Sequence, residues 1–488
     1  MPADFLPKTT DLIRFLPEII LTVMGTLLMV LDGFAGRRWS GVYGNVSLVA
    51  LAGALAAAVY ASGVPGPAFS GMLMADGFAT FFRVLVIGVG ILVVLASFRY
   101  LHREGVETGE YHALILFSVV GQCVMVTANE LIMIFIGLEI SSIATYILAG
   151  YLREDRRGNE ASLKYFLLGS FATAFLLYGI AWIYGLTGST NLAAIRGVLS
   201  SRELAPSGML VGFSAALMFV GLGFKVSGAP FQIWAPDVYQ GAPAPVTAFM
   251  SAGPKAAAFA VFLRIFMTAF EPIGTGWEPL VWLSALLSMT IGNFAALTQS
   301  NIKRLLAYSS IAHAGYVLVA LAARSETGTA AAMFYLAAYA LMNVGAFAVV
   351  AHLAGKGERF VSIDDFAGLA DAQPATAALL AIFLLSLIGV PLTGGFFGKF
   401  YIFKAALQSN LMWLTVLGLL NSAVAAYYYL RILVMMYMRE PGEAASGAEP
   451  LGIGMKAALV LPALGTLFLG IFPSAVLNFA SKSAALMR

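Results

Sequence analysis

The stretch that decides the fold runs from Gly221 to Arg264 and reads GLGFKVSGAPFQIWAPDVYQGAPAPVTAFMSAGPKAAAFAVFLR. It places two lysines, Lys225 and Lys255, in segments that otherwise have the composition of membrane helices. A lysine at the bilayer centre costs roughly 3 kcal/mol unless it is paired, hydrated or neutral. The residues between the two lysines include several that a straight helix does not tolerate, namely Pro230, Pro236, Gly241, Pro243 and Pro245. Broken backbone at that depth persists only beside protein or a water-filled cavity, so the stretch predicts an ion pathway at a broken helix.

The composition places the whole chain in a membrane. Of the 488 residues, 60% are hydrophobic and only 11% are charged, whereas a soluble globular domain carries about 25% charged residues. We therefore predict an all-α integral membrane protein. Taking about 20 apolar residues per span, the sequence contains about fourteen transmembrane helices, near 11–31, 41–61, 77–101, 111–127, 129–151, 162–186, 209–227 with a continuation to 238, 242–270, 279–298, 302–323, 328–353, 374–408, 411–437 and 454–476.

Several classes of site are not expected in this chain. Its single cysteine, Cys123, excludes a disulfide framework and a cysteine-ligated iron–sulfur cluster. The four histidines do not have the spacing of metal ligands, and no glycine-rich phosphate loop is present. A net charge of +3 is too small to indicate nucleic acid as a partner. We therefore expect no cofactor, no metal and no nucleic acid on this chain.

Basic residues predict the orientation. Most of them fall in the loops after odd-numbered helices, and few in the opposite loops, which hold Arg196, Arg202 and Arg324. The positive-inside rule places the basic loops in the cytoplasm, so both termini are predicted to lie on the far side of the membrane. The basic loops and their borders contain Arg37, Arg38, Arg99, Arg103, Arg153, Arg156, Arg157, Lys164, Lys303, Arg304, Lys356, Arg359, Arg439 and Lys456.

The chain also contains an internal repeat. The motif SSIA begins at Ser141 and again at Ser309, and the segment from Lys255 to Ile265 resembles that from Ser422 to Ile432. Each match pairs two predicted helices whose positions in the order of helices differ by five. Because consecutive helices cross the membrane in opposite directions, helices that differ by an odd number run in opposite directions. We therefore predict two inverted five-helix repeats, each with a broken helix, as in secondary transporters. The predicted divisions are 1–110, 111–270, 277–437 and 438–488.

Five titratable residues inside predicted helices are the candidate site: Glu139, Lys225, Lys255, His313 and Lys399. A proton carrier must titrate near neutral pH. Burial generally lowers the pKa of a lysine and raises that of a glutamate, while pairing opposes both shifts. A Glu139–Lys225 pair could thus act as a switch in which separation releases the proton, and we expect neither residue to reach the subunit surface. Lys255 has no acidic neighbour in sequence, which favours a hydrated path.

Structural roles remain open for part of this set. Glu139 and Lys225 could form a purely structural buried pair, Lys399 could be structural, and His313 could be a satisfied core histidine rather than a relay group. Other intramembrane or flanking charges are expected to anchor the fold: Arg83 as a paired or interfacial residue, Arg264 and Arg431 as anchors at helix ends, Lys404 as a lysine that reaches the interface, and Glu160 with Lys164 as a surface pair.

Four segments resemble one known family. They are NELIMIFIGLEISSIATYIL, GFKVSGAPFQIWAPDVYQGAPAPVTAFMSAGPKAAAF, NIKRLLAYSSIAHAGY and GVPLTGGFFGKF, and they are similar to subunit N of bacterial proton-pumping NADH:quinone oxidoreductase, respiratory complex I. The resemblance implies that Glu139 pairs with Lys225, that Lys255 is central and that Lys399 lies on the release side. The related Mrp-type sodium/proton antiporters, which share this fold, are the alternative, and a non-transporting scaffold is a third.

The resemblance also implies the cellular setting. NADH, FMN, the iron–sulfur clusters and quinone would all belong to partner subunits. The neighbours would be the antiporter-like subunit M and the small membrane subunits A, J and K, together with lipids. The chain would lie in the bacterial inner membrane, with both termini on the periplasmic side.

Overall fold

A computed structural model describes residues 7–35, 39–201, 206–447 and 449–486. Across these ranges the chain is helical apart from one short hairpin and the connecting turns. Thirteen of the described helices are long and apolar enough to cross a membrane, and a broken pair of shorter ones supplies the fourteenth predicted span. The prediction of an all-α integral membrane protein is confirmed. Arg37, Arg38 and Arg202, which contributed to the predicted orientation, lie outside the described residues.

The first half of the chain begins with three helices that precede a β-hairpin. The hairpin pairs β1 (Gly66–Ala68) with β2 (Leu73–Ala75) in antiparallel register. The helices of this half are α1 (Thr9–Arg14), α2 (Leu16–Ala35), α3 (Ser40–Ala61), α4 (Gly77–Glu104), α5 (Gly109–Thr127), α6 (Leu131–Ala149), α7 (Arg156–Thr187), α8 (Leu192–Ser200), α9 (Gly208–Val226), α10 (Ala235–Gly241) and α11 (Ala244–Arg264).

The second half continues from a π-helical turn at Ile265–Ala269 and contains two 3₁₀ turns, Glu271–Ile273 and Ile363–Phe366. Four short helices of the chain were not predicted from the sequence: Leu192–Ser200, Leu369–Ala372, Glu443–Gly447 and Pro473–Ala485. The helices of this half are α12 (Gly274–Leu297), α13 (Ile302–Ala322), α14 (Glu326–Leu353), α15 (Leu369–Ala372), α16 (Pro374–Ile388), α17 (Gly394–Gln408), α18 (Met412–Met438), α19 (Glu443–Gly447), α20 (Ile453–Ile471) and α21 (Pro473–Ala485).

Both predicted helix breaks are present. The first separates α9 from α10, where Ser227 ends α9 in the left-handed conformation with φ of 59°. At this break, two serines of α12 satisfy the backbone groups of Ala229. The N–H of Ala229 donates to Ser288 Oγ at 2.8 Å, and the carbonyl of Ala229 accepts from Ser284 Oγ at 2.5 Å. The second break separates α16 from α17, and Gly389 has φ of 95° there. Left-handed residues of this kind commonly end helices.

Equivalent backbone contacts support the predicted repeat. Leu131 N–H donates to Thr190 O at 2.9 Å, and Ile302 N–H donates to Val361 O at 2.8 Å. The two residue numbers of the second contact exceed those of the first by 171 (302 against 131, and 361 against 190). The isolated bridges Glu130–Asn191 and Asn301–Ser362 differ by the same 171 residues. The repeated SSIA motif instead has an offset of 168. The two motifs therefore lie about one helical turn apart in the repeat, and the position equivalent to Glu139 is Ser310.

Close helix packing follows the same offset. At Gly121, a Cβ atom would lie 2.5 Å from Gly137 O on α6. At Gly292, which is 171 residues later, it would lie 2.6 Å from Ala312 N on α13. Only glycine permits helices to approach this closely, so the α5–α6 and α12–α13 pairs are built alike. The residue limits of the two repeats remain a prediction.

Three buried ion pairs hold the bundle together. Arg83 Nη2 lies 2.6 Å from Glu18 Oε1, and this ion pair joins α4 to α2. Arg83 is thus paired, as one of its two predicted roles requires. Arg264, the predicted anchor at the end of α11, makes two hydrogen bonds of 3.0 Å to Asp76. Lys303 was predicted to be a loop charge, but it is fully buried, with Nζ 2.6 Å from Glu358 Oε2. The prediction for Lys303 is wrong. Its ammonium group is buried because it donates to the Glu358 carboxylate and to the carbonyl of Ala242.

We predict that Glu18→Ala destabilises the subunit strongly. It leaves the Arg83 guanidinium buried without its carboxylate, and breaking a buried pair in this way costs about 3 kcal/mol or more. The purified assembly should lose this subunit at a clearly lower temperature. Arg153→Ala is the control, because Arg153 is 83% exposed in its pair with Glu110 and should have little effect. Equal thermal stability of the two variants would contradict the prediction.

Candidate functional site

Lys255 lies at the centre of the candidate site. It projects from α11 and is only 2% exposed. Its ammonium group donates to the carbonyl of Ser310 at 3.2 Å and to the hydroxyl of the same residue on α13. In the described part of the chain, no carboxylate lies within 4.0 Å of it. The absence of an acidic partner agrees with the prediction, and Ser310 is a partner that the sequence did not indicate.

Several buried polar atoms beside α11 have no hydrogen-bond partner among the described residues. They are the hydroxyl groups of Tyr239 and Tyr339 and the Oδ1 atom of Asn343. Tyr239 lies on α10, Tyr339 and Asn343 lie on α14, and the Asn343 amide donates to Ser251 on α11 at 2.7 Å. Buried polar atoms are normally satisfied, often by water. The surroundings of Lys255 therefore suit ordered water, as a hydrated path requires.

His313 lies on the same helix as Ser310 and is 2% exposed. Its Nδ1 atom is 2.5 Å from the hydroxyl of Tyr335, and its Nε2 atom is 3.2 Å from that of Tyr429. The hydroxyl of Tyr429 also contacts that of Ser309. Both ring nitrogens are thus satisfied by hydroxyls, which fits a core histidine and a relay group equally.

Lys399 lies at the second helix break and is 6% exposed. Its ammonium group donates to the carbonyls of Leu387 and Ile388 at 3.1 and 2.9 Å, and to Ser422 Oγ at 2.8 Å. An ammonium group has three donors, so all of them are in use. The last carbonyls of α16 lack partners because of the break, and a cation is favoured at this end of a helix. Lys399 therefore closes the break, a role that the sequence did not reveal.

Lys225 and Glu139 do not form the direct ion pair that the resemblance implied, since their charged atoms are more than 4.0 Å apart. Lys225 Nζ instead donates to Tyr146 OH at 3.2 Å and lies 5.0 Å from the centre of that ring. The second neighbouring ring, that of Tyr165, is at 5.4 Å. Tyr146 follows Glu139 by two turns of α6, so the signal that could have identified it was its place on the same helix face.

Glu139 and Lys225 are partly exposed in the chain, whereas we expected neither to reach the surface. The expectation is wrong because Glu139 lies on α6 between outward-facing residues, of which Ile136 is 42% and Ile140 is 36% exposed. The Oε1 atom of Glu139 is nevertheless buried and has no hydrogen-bond partner among the described residues.

The buried and partly buried cations described above thus fall into two classes. Arg83, Arg264 and Lys303 each bind a carboxylate. Lys225, Lys255 and Lys399 bind only hydroxyls, carbonyls and aromatic rings. Within the described ranges, no group of three or more histidine, cysteine, aspartate or glutamate side chains could hold a metal ion.

Comparisons with known proteins give a consistent result. The family described as NADH:quinone oxidoreductase/Mrp antiporter transmembrane proteins matches residues 128–425. NADH-quinone oxidoreductase subunit N 1 of Solibacter usitatus is 71% identical over 485 residues, which is 99% of both chains. A chain of respiratory complex I from Thermus thermophilus with bound aureothin superposes with a TM-score of 0.81 at 36% identity, over 95% of this chain and 99% of that chain.

The antiporter alternative is supported at the level of the fold alone. A chain of the Mrp complex from Dietzia sp. superposes with a TM-score of 0.83, but at 20% identity, over 98% of this chain and 97% of that chain.

The geometry of Lys399 predicts a local effect of its removal. Lys399→Met deprives the carbonyls of Leu387 and Ile388 of their donor, and each bond to a charged group contributes about 1.5 kcal/mol or more. The amides of Gly389 and Val390, which close the end of α16, should then exchange with deuterium about tenfold faster. Hydrogen-exchange mass spectrometry of the assembled protein measures this. Lys404→Met, an exposed change on the same helix, is the control, and identical exchange in both variants would contradict the assigned role.

Proposed function

Because this chain belongs to the NADH-quinone oxidoreductase subunit N family, we propose that it carries protons across the membrane through Glu139, Lys225, Lys255, His313 and Lys399. It is a multi-pass membrane subunit of NADH-quinone oxidoreductase, complex I, and works with the other subunits of that complex. NADH, FMN, the iron–sulfur clusters and quinone would be bound by those partners. Their electron transfer would drive the proton movement in this chain.

One observation carries the proposal: three lysines lie among apolar helices without a carboxylate within 4.0 Å in the described chain. A charge retained in a membrane interior without a counter-charge is costly, and such residues commonly mark ion or proton paths. The paired cations of the same bundle provide the contrast, because Arg83, Arg264 and Lys303 have the partners that a structural role requires.

The proposed path joins the two predicted repeats, 111–270 and 277–437. Lys225 beside the first break would take up protons from the cytoplasm. Lys255, Ser310 and His313 connect the halves, since Ser310 accepts a hydrogen bond from Lys255 and lies less than one turn from His313 on α13. Lys399 at the second break would release protons on the other side.

The separation of Glu139 from Lys225 matches one state of the proposed switch. With the carboxylate more than 4.0 Å away, the lysine proton is less strongly held than in a direct pair. Because Glu139 is partly exposed on α6, a charge on an adjoining subunit can act on it. The proposed neighbours are subunits M, A, J and K.

We predict that Lys255→Met leaves assembly intact and abolishes most NADH-driven proton transport, because it removes the central proton-carrying group. Lys255→Arg should also impair transport, since a guanidinium group does not release its proton in the working pH range. The measurements are proton uptake by sealed inverted vesicles and quinone reduction by the same complex. Full transport in the arginine variant would show that Lys255 supplies only a fixed charge.

The proposed location is the bacterial inner membrane, with both termini in the periplasm. Glu154, in the basic α6–α7 loop, and Asn410, between α17 and α18, are both exposed and should lie on opposite sides. Single cysteines at these positions should react with a membrane-impermeant thiol reagent from the cytoplasm and the periplasm respectively. The native Cys123 is buried and should stay unlabelled. Reaction of both cysteines from one side would overturn the orientation.

A further inference from the structure

A groove runs along the outer face of α17 and α18. It has a volume of about 500 Å³ and is lined mainly by apolar side chains, among them Phe396, Phe400 and Leu419. Phe400 is 50% and Leu419 is 53% exposed, so the groove opens to the outside of the bundle. Its size lies within the range of small-molecule sites, about 300–1,000 Å³.

The charge of the groove has one sign. Lys399 and Lys404 both line it, and none of its lining residues is acidic. Lys404 is exposed and makes no hydrogen bond or ion pair within the described chain, so its ammonium group is free to bind an anion. Lys399 differs, because its three donors are taken by two carbonyls and Ser422. It therefore presents its apolar stem to the groove.

The polar and apolar parts of the groove are expected to lie at different depths in the bilayer. Gln408, the last residue of α17, lines the outer end of the groove, and Lys399 lines the inner end. They are nine positions apart on the helix, which is about 14 Å at 1.5 Å per residue. This is close to half the hydrocarbon thickness of a bilayer, about 30 Å. Lys404 lies one turn from the end of the helix, at the depth where a lysine reaches lipid headgroups.

We propose that this groove binds one anionic phospholipid, with its phosphate at Lys404 and an acyl chain lying along α17 and α18 as far as the stem of Lys399. The free cation near the helix end matches the headgroup, and the apolar inner part matches the chain. A charged ligand group at the inner end would find no free donor on Lys399. The inference concerns binding alone and does not depend on whether Lys399 carries protons.

The test uses the assembled NADH-quinone oxidoreductase in nanodiscs of phosphatidylcholine. A small fraction of the lipid carries a photoreactive diazirine in its acyl chain, as phosphatidylglycerol in one sample and as phosphatidylcholine in the other. After illumination, peptide mass spectrometry quantifies the label on α17 and α18. We expect about fivefold more label from phosphatidylglycerol, which is the attraction that one lysine near a headgroup provides.

Two variants probe the two parts of the site, each with a matched control. Lys404→Gln should reduce labelling by phosphatidylglycerol to the level of phosphatidylcholine, whereas Lys482→Gln, an exposed lysine on α21, should not. Leu419→Trp fills the groove and should remove the label, whereas Leu420→Trp, at a 59% exposed neighbour outside the groove, should not. Equal labelling by both lipids would show non-selective lipid contact, and no labelling by either would show that another subunit covers this face. Either result would overturn the proposal.

Discussion

The fold depends on one constraint: in a membrane, every buried donor and acceptor must find a partner within the protein or in enclosed water. A broken helix leaves carbonyls without donors, and a buried lysine brings three donors without acceptors. At the second break these two requirements satisfy each other, because Lys399 donates to Leu387, Ile388 and Ser422. The lysine and the interrupted helix therefore belong to one structural unit.

The same constraint distinguishes the anchors of the bundle from the candidate carriers. Glu18 and Asp76 bind arginines, and Glu358 binds Lys303 while also accepting from Tyr100 and the amide of Ala244. The three donors satisfy the hydrogen-bonding capacity of this buried carboxylate, which suits a fixed structural contact. The candidate carriers bind neutral groups, so loss of a proton from the lysine leaves no buried carboxylate without its counter-charge.

The sequence predicted the helices and the positions of the intramembrane charges, because both depend on composition along the chain. It could not predict how side chains meet across helices. Tyr146 partners Lys225, and Ser310 partners Lys255. The residue type alone, a tyrosine or serine in an apolar helix, does not indicate such a role. The burial of Lys303 depends on Glu358, which is 55 residues away in sequence. The repeat was found from its SSIA motif, but the backbone contacts show an offset three residues larger.

The two helix breaks are stabilised by different groups, serines at the first and a lysine at the second. Serines of α12 close the first break at Ala229, while Lys225 contacts one hydroxyl and two rings. Loss of a proton from Lys225 would leave that break intact. Loss of a proton from Lys399 removes one of three donors, so a carbonyl of α16 or Ser422 would need a new partner. If Lys399 exchanges protons as proposed, its protonation is coupled to the geometry of the α16–α17 break, whereas the protonation of Lys225 is not coupled to the geometry of the α9–α10 break.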